Sequence, residues 1–389
     1  MKIKKIGLIA LIFLGGCSLS AGDGKKVNSI ETQVPQEQVV EASKKSIDEK
    51  MIGSMLMVGF MGTSAPQNSQ ICQDIKRYNL AGVILFDANP VNHKEPKNIS
   101  SKAQVAKLTQ ELQACSKDGK LLIAVDQEGG RVQRLKSKYG FYGNFPKAKE
   151  VIRYPDAKVK EYYEKMGAEL HSVGINYNLA PVVDLALNKR NHVIYKLGRS
   201  FGADPKQVVH YASIFMDAMH DNGVLTSLKH FPGHGSSLGD THKGFVDITN
   251  LWQQKELEPY QMLAQTQTID SVMVAHVFNK TLDSRYPATL SKNTVNGLLR
   301  KKLGFDGVVI TDDLQMGAIN KKYGLKNTLK LAINAGDDIL LFGNQLSVKS
   351  MVKTSTLVNT IRELIQSGEV KPNEIRASYE RIQRLKERL

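Results

Sequence analysis

The feature that most constrains this chain is an alternation. Eight short apolar runs recur between amphipathic stretches: MLMVGF (55–60), AGVILF (81–86), LLIAVD (121–126), NYNLAPVVD (176–184), VLTSLKHF (224–231), SVMVAHV (271–277), GVVITDD (307–313) and DDILLFG (337–343). Runs this short and this apolar suit strands buried on both faces, as in parallel sheets. The stretches between them, such as AQVAKLTQELQAC, KEYYEKMGAELHSVG, QVVHYASIFMDAMHDNG and TVNGLLRKKLG, carry a helical period, and several close on glycine, a common helix stop. Eight strand signals in about 340 residues favour a closed (β/α)8 TIM barrel, in one catalytic domain, over an open doubly wound sheet. A 41% hydrophobic fraction supplies the core of such a barrel, and 23% charged residues exclude a disordered chain. The barrel domain is expected over 46–389, with the final helices at 350–366 and 373–388 and no further domain.

The residues before it read differently. MKIKKIGLIALIFLGGCSLS has a lysine-rich start, an apolar centre from Ile6 to Leu14 and small residues before a cysteine. This is the pattern of a secretory leader, and its apolar run falls short of the roughly 20 residues a spanning helix needs. LGGC resembles a bacterial lipobox, which implies cleavage of 1–16 and lipidation of Cys17. Acyl chains there would hold the protein to a membrane surface, with 17–45 as a polar tether. Ser18 follows directly and no aspartate marks inner-membrane retention, so the outer membrane or periplasm is expected where a cell has two membranes, with the leaflet left open. Otherwise the cell surface is expected. Removing the leader and its three lysines lowers the formal charge from +15 to +12. A basic exported chain is drawn to anionic lipids or wall polymers, though a solvated lysine-rich surface explains the charge equally well. No motif points to nucleic acid. Cys72 and Cys115 read as buried helix-face thiols, and the sequence leaves open a disulfide between them.

Polar residues gather at the carboxyl ends of the runs. Phe86 and Asp87 end the second, Asp126 the third, Asp184 the fourth, Lys229 and His230 the fifth, His276 the sixth, and Asp312 and Asp313 the seventh. In a barrel these ends form one mouth, where active sites sit. Single polar residues at strand ends often cap helices, but six such ends in succession exceed what capping requires.

The densest cluster is KHFPGHGSSLGDTH (229–242). As a metal site it offers His230, His234, Asp240 and His242, but Pro232, Gly233 and Gly235 break the helix that an HExxH-type site uses. As a serine elbow, GSSLG matches GxSxG without the strand-to-helix flanks that motif needs. The third reading is sugar chemistry. Asp240 and His242 sit two apart in a glycine-rich loop, where a carboxylate can fix the ring tautomer and steady its protonated form for general acid work. Glycosidic cleavage also needs a carboxylate on the opposite face of the sugar, and Asp312 is placed to supply one.

These residues resemble the signature of the glycoside hydrolase family 3 β-N-acetylglucosaminidases. VDQEGGRVQRL (125–135), GRSFGADP (198–205), VMVAHV (272–277) and ITDDLQM (310–316) resemble further blocks of that family in the same order, over about residues 50 to 345. The resemblance implies Asp312 as nucleophile, His242 as acid/base and Asp240 as its dyad partner. It implies that Asp126 binds sugar hydroxyls, with Arg134, Arg199, Lys229 and His230 around the N-acetylglucosamine ring. A pocket of such side chains that grips a terminal sugar implies exo-cleavage, and Asp312 with His242 would complete a retaining double displacement. The leading expectation is action on peptidoglycan fragments or related oligosaccharides, without metal or organic cofactor, by a monomer.

Bland alternatives stand beside these roles. Arg134 pairing with Glu128, Arg199 bracing the loop after the fourth strand, and Asp184, His234 and His276 ordering loops are all structural readings. Gly129 and Gly130 read as a tight turn beside the sugar. Thr241 replaces the usual serine of the dyad motif, and the loop's glycines and serines suggest closure on substrate. Rival functions are a β-glucosidase, a phosphorolytic relative, and a catalytically silent wall-binding lipoprotein. The first usually has tryptophan after the nucleophile, where this chain has Asp313.

Overall fold

The computed structural model describes residues 47–389. The expected leader, Cys17 and the tether over 17–45 lie outside them. The eight apolar runs become eight parallel strands: β1 (Leu56–Val58), β2 (Gly82–Ile84), β3 (Leu122–Val125), β4 (Tyr177–Asn178), β5 (Leu225–Phe231), β6 (Ser271–Val274), β7 (Val308–Thr311) and β8 (Leu340–Phe342). Each pairs with its neighbours in chain order, and β8 returns to pair with β1 through Leu56–Leu340 and Val58–Phe342. An Ile310–Ile339 bridge, with Thr311 N donating to Ile339 O at 3.0 Å, closes the ring between β7 and β8. The result is a (β/α)8 barrel. Its strands are buried throughout, which is why the sequence shows continuous apolar runs and no alternation.

The main helices around the barrel are α1 (Gln70–Tyr78), α2 (Lys102–Cys115), α3 (Asp156–Ser172), α4 (Pro205–His220), α5 (Glu258–Thr266), α6 (Asn293–Lys302, wound as a π-helix), α7 (Gly317–Ala335, broken at Gly324) and α8 (Thr354–Gln366), followed by α9 (Pro372–Lys386); two short helices, Glu49–Gly53 and Ala148–Val151, stand apart from this set. Their local signals are legible. The Ser101 hydroxyl accepts from Gln104 N to start α2, and Asp204 accepts from Gln207 N ahead of Pro205 to start α4. On α2, Val105, Leu108 and Leu112 form the stripe packed on the barrel, each fully buried. Such burial stabilises by about 1.5–3 kcal/mol per side chain. Among the described residues no helix is long and apolar enough to cross a membrane.

Three expectations need correction. Cys72 and Cys115 are not free thiols: they form a disulfide joining α1 to α2, with Cα atoms 5.2 Å apart. The fourth run pairs as a strand only over Tyr177–Asn178 and then continues as single contacts to Lys229, because Pro181 has no N–H to extend a ladder. The sixth strand stops at Val274, and Val277–Phe278 instead pairs in parallel with Val246–Asp247 above the barrel.

Candidate active site

The carboxyl ends of the strands open into a cavity of about 400 Å³. All eight predicted pocket residues line it: Asp126, Arg134, Arg199, Lys229, His230, Asp240, His242 and Asp312. A separate cavity of about 470 Å³ between the starts of α1 and α8 contains none of them.

The floor is a chain of ion pairs. Asp126, just beyond β3, accepts from Arg134 (2.9 Å) and from Lys229 at the end of β5 (2.9 Å). Lys229 also meets Glu128 at 2.7 Å, and Glu128 takes two hydrogen bonds from Arg199, at 2.8 and 2.7 Å. Arg134 therefore pairs with Asp126 and not with Glu128. Arg199 does brace the loop after β4, through Val193 O at 3.1 Å. Burial alone would raise both carboxyls, but Lys229 and Arg134 hold Asp126 well below the ordinary range, and Arg199 and Lys229 hold Glu128 down to about 2. Burial opposes the Lys229 charge, yet Asp126 and Glu128 overcome it and raise its pKa. Three fixed cations thus share two carboxylates at the bottom of a cavity, a donor-rich floor suited to hydroxyl groups.

His230 is turned into the cavity by its place in β5. Lys229 pairs with Met273 and Phe231 with Val274, so His230 is an extra residue in the ladder. Such a bulge re-aims a side chain. Its Nδ1 lies 2.6 Å from Asp184 Oδ2, and Asp184 Oδ1 accepts from His234 N at 2.8 Å. Asp184 is buried, yet His230 and His234 keep it ionised with a lowered pKa. It orients residues of the mouth from beneath.

The two aspartates after β7 diverge. Asp312 lines the cavity, and one of its carboxylate oxygens accepts from Asp313 N at 2.8 Å. Burial works against its charge, while the imidazoles of His276, His230 and His242 and that N–H favour it, leaving its pKa below the ordinary value. Asp313 also borders the cavity, but its carboxylate is tied down beside β8, accepting from Gln315 N (3.0 Å) and Gly343 N (3.3 Å). Burial raises it to about 6 despite those bonds. His276 is fully buried, its Nε2 donating to Asp313 O at 2.9 Å and its Nδ1 facing Thr289 Oγ1 at 2.7 Å. It holds the turn that carries both aspartates.

The histidine-rich loop has two halves. Residues 231–237 are buried. Asn191 donates to His234 O, and Asn188 to Ser236 O, at 2.8 and 2.9 Å. From Leu238 the chain emerges at the rim. There Asp240 Oδ1 accepts from His242 N (3.0 Å) and lies 2.9 Å from His242 Nδ1. That pairing places the proton on Nδ1 and leaves Nε2 for chemistry. The His242 side chain is 58% exposed, so it faces any group entering from solvent.

The rival readings of the loop meet specific obstacles. Ser237 Oγ lies 2.7 Å from His234 Nδ1, but both side chains are buried inside the loop and face no substrate. His230 and His234 are each tied to other partners, and among the described residues no three His, Cys, Asp or Glu side chains are grouped to hold a metal. The Phe86 ring, at the strand end the sequence pointed to, lies 5.5 Å from the Arg134 guanidinium, whereas Glu128, through Arg199 and Lys229, and Asn191, through His234 O, support the cavity from behind although sequence reasoning gave them no such role. Glu128 had a signal: it stands two residues from Asp126 in VDQEGG.

Residues 46–385 match the model described as "Glycosyl hydrolase family 3 N terminal domain". Beta-hexosaminidase A of Pseudoalteromonas piscicida is 31% identical over 85% of this chain, and Beta-hexosaminidase LpqI of Mycobacterium tuberculosis is 36% identical over 68% of both chains. The chain spans 56% of the Pseudoalteromonas protein's length. A solved family 3 β-N-acetylglucosaminidase from Paenibacillus sp. str. FPU-7 superposes with a TM-score of 0.77 at 32% identity, covering 88% of this chain and 63% of its own.

Proposed function

The chain belongs to glycosyl hydrolase family 3, and from that premise we propose that it is a retaining exo-β-N-acetylglucosaminidase. In the first step a carboxylate oxygen of Asp312 attacks the anomeric carbon. The bond to the leaving oxygen breaks with its electron pair, and that oxygen takes the proton from Nε2 of protonated His242. In the second step the neutral imidazole takes a proton from water, whose oxygen attacks the same carbon and expels Asp312. Asp240 holds His242 in the tautomer this exchange needs. Asp126, Arg134, Lys229, Arg199 and His230 grip the hydroxyls and N-acetyl group of one terminal sugar. Hydrogen bonds from charged donors contribute about 1.5–3 kcal/mol each.

The observation that carries the reading is that one cavity receives an ionised carboxylate from β7 and an imidazole–carboxylate dyad from the loop after β5. The proposed substrate is the N-acetylglucosamine end of peptidoglycan fragments. Support comes from the leader-like start ending in LGGC, and from the Cys72–Cys115 disulfide, which suits an oxidising compartment outside the cytoplasm. On this reading Cys17 carries the lipid, residues 17–45 tether a monomeric barrel, and the membrane is reached without a spanning helix.

The test uses residues 18–389 with chitobiose, defined muropeptides and, for comparison, a β-glucoside. Release of free N-acetylglucosamine is expected from the native sequence, and a loss of at least about 1,000-fold from Asp312→Ala. Release of glucose only from glucosides, binding without turnover, or full activity in the variant would contradict the assignment.

A further inference from the structure

The rim segment that carries the dyad does not end in open solvent. It settles on the N-terminus of α7, the helix that follows β7. Gly317 N donates to His242 O at 3.3 Å, and Ala318 N donates to Thr241 O at 3.2 Å. First-turn N–H groups have no partner within their own helix. Met316, at the cap position, offers no side-chain acceptor. The Thr241 and His242 carbonyls, belonging to successive peptide units, therefore do the work of a cap.

The approach is close enough to specify glycine. A β-carbon at Gly317 would stand 2.9 Å from His242 O and 3.1 Å from the Lys243 carbonyl carbon and oxygen. These are backbone atoms, so no rotamer change relieves the overlap, and the loop must move. On the outer flank the Lys321 ammonium donates to Lys243 O at 3.4 Å. Lys322 stands 4.8 Å from the centre of the Phe245 ring, and that ring packs on Phe278 at 5.2 Å. At the other end, Met316 N donates to Asp313 O at 2.9 Å, which ties the same turn to the aspartates after β7. One continuous segment, 312–318, therefore carries Asp312 and seats the loop bearing His242.

We propose that Gly317, with the first turn of α7, is a positioning residue that sets the place of His242 over the sugar bound at Asp312. It touches neither substrate nor the reacting atoms. The inference rests on the acid/base role given above to His242.

Acid assistance matters most when the leaving group is poor, which gives a readout that simple structural damage does not reproduce. The experiment measures kcat/KM, which reports the first step, for phenyl and 2,4-dinitrophenyl β-N-acetylglucosaminides. The native protein, Gly317→Ala, Phe245→Ala and His242→Ala are compared, with thermal midpoints recorded. Gly317→Ala is expected to lose about tenfold or more with the phenyl glycoside and less than about threefold with the dinitrophenyl one. Phe245→Ala, a half-exposed change on the loop's flank, should show the same imbalance in weaker form, and it decides the matter where Gly317→Ala does not fold.

Equal losses with both substrates, or no loss with either, would overturn the proposal. His242→Ala separates the two levels of the argument. If it shows no leaving-group dependence, the acid/base assignment fails and the inference with it. If it shows the dependence while the other two variants do not, only the positioning role of Gly317 fails.

Discussion

At the scale of single residues, the ion pairs of the cavity floor bear on stability as well as on the proposed sugar binding. Asp126, Glu128 and Asp184 all have lowered pKa values in the fold. For such groups the stabilisation is present above the unfolded value and disappears as pH falls through the folded one. For Glu128 that window runs from its ordinary 4.5 down to about 2. Lys229 shifts the other way, upward, so its contribution is already complete throughout this acid range. Asp313 and Glu256 are shifted upward, to about 6 and about 7, so their protonation stabilises the fold as pH falls toward about 4.5. The urea midpoint should therefore drop only below that, from about pH 4.5 toward about pH 2, and an unchanged midpoint over that range would contradict the ion-pair account. Residue types and strand ends made Asp126, Lys229, His230 and Asp312 visible in the sequence. Pairings were not visible: Arg134 and Arg199 each have two acidic neighbours within VDQEGG, and only the fold decides which is met. Asp313 shows the same limit, since adjacent aspartates are alike in sequence and differ only in the direction the turn gives them.

At the scale of elements, boundaries were clearest where local chemistry sets them. The helix starts at Ser101 and Asp204 and the buried runs of the strands are examples. Elements that depend on distant partners were hidden. The Val246–Asp247 and Val277–Phe278 pair needs two loops to meet, and the seating of residues 238–245 on α7 needs a helix about 75 residues further on. The loop's glycines suggested free closure, yet its first half is fixed by Asn188 and Asn191. The disulfide is likewise a tertiary event between α1 and α2, spanning 43 positions. Closing a loop of that length stabilises by about 4 kcal/mol in the chain-entropy picture. Replacing both cysteines by serine should lower unfolding free energy by roughly 2–4 kcal/mol in urea titrations. KM for a nitrophenyl β-N-acetylglucosaminide should stay unchanged, because neither cysteine lines the cavity. A large rise in KM at unchanged stability would contradict that separation.

At the scale of the whole molecule, the barrel solves a placement problem. Eight strands of one polarity bring their carboxyl ends to one face, so residues from Asp126 to Asp312, 186 positions apart, share a cavity that no local segment could form. The proposed chemistry needs that convergence twice: a carboxylate held by the rigid β7 turn, and an imidazole delivered by a loop from the other side. The central claim is that Asp312 bonds to the anomeric carbon during turnover. It is tested most directly by incubating the protein with a fluorinated N-acetylglucosaminyl fluoride that forms the intermediate quickly and releases it slowly, then locating the adduct by peptide mass spectrometry. The account predicts one sugar attached to Asp312. A sugar on Asp313 or elsewhere, or turnover with no adduct and an inverted first product, would contradict it.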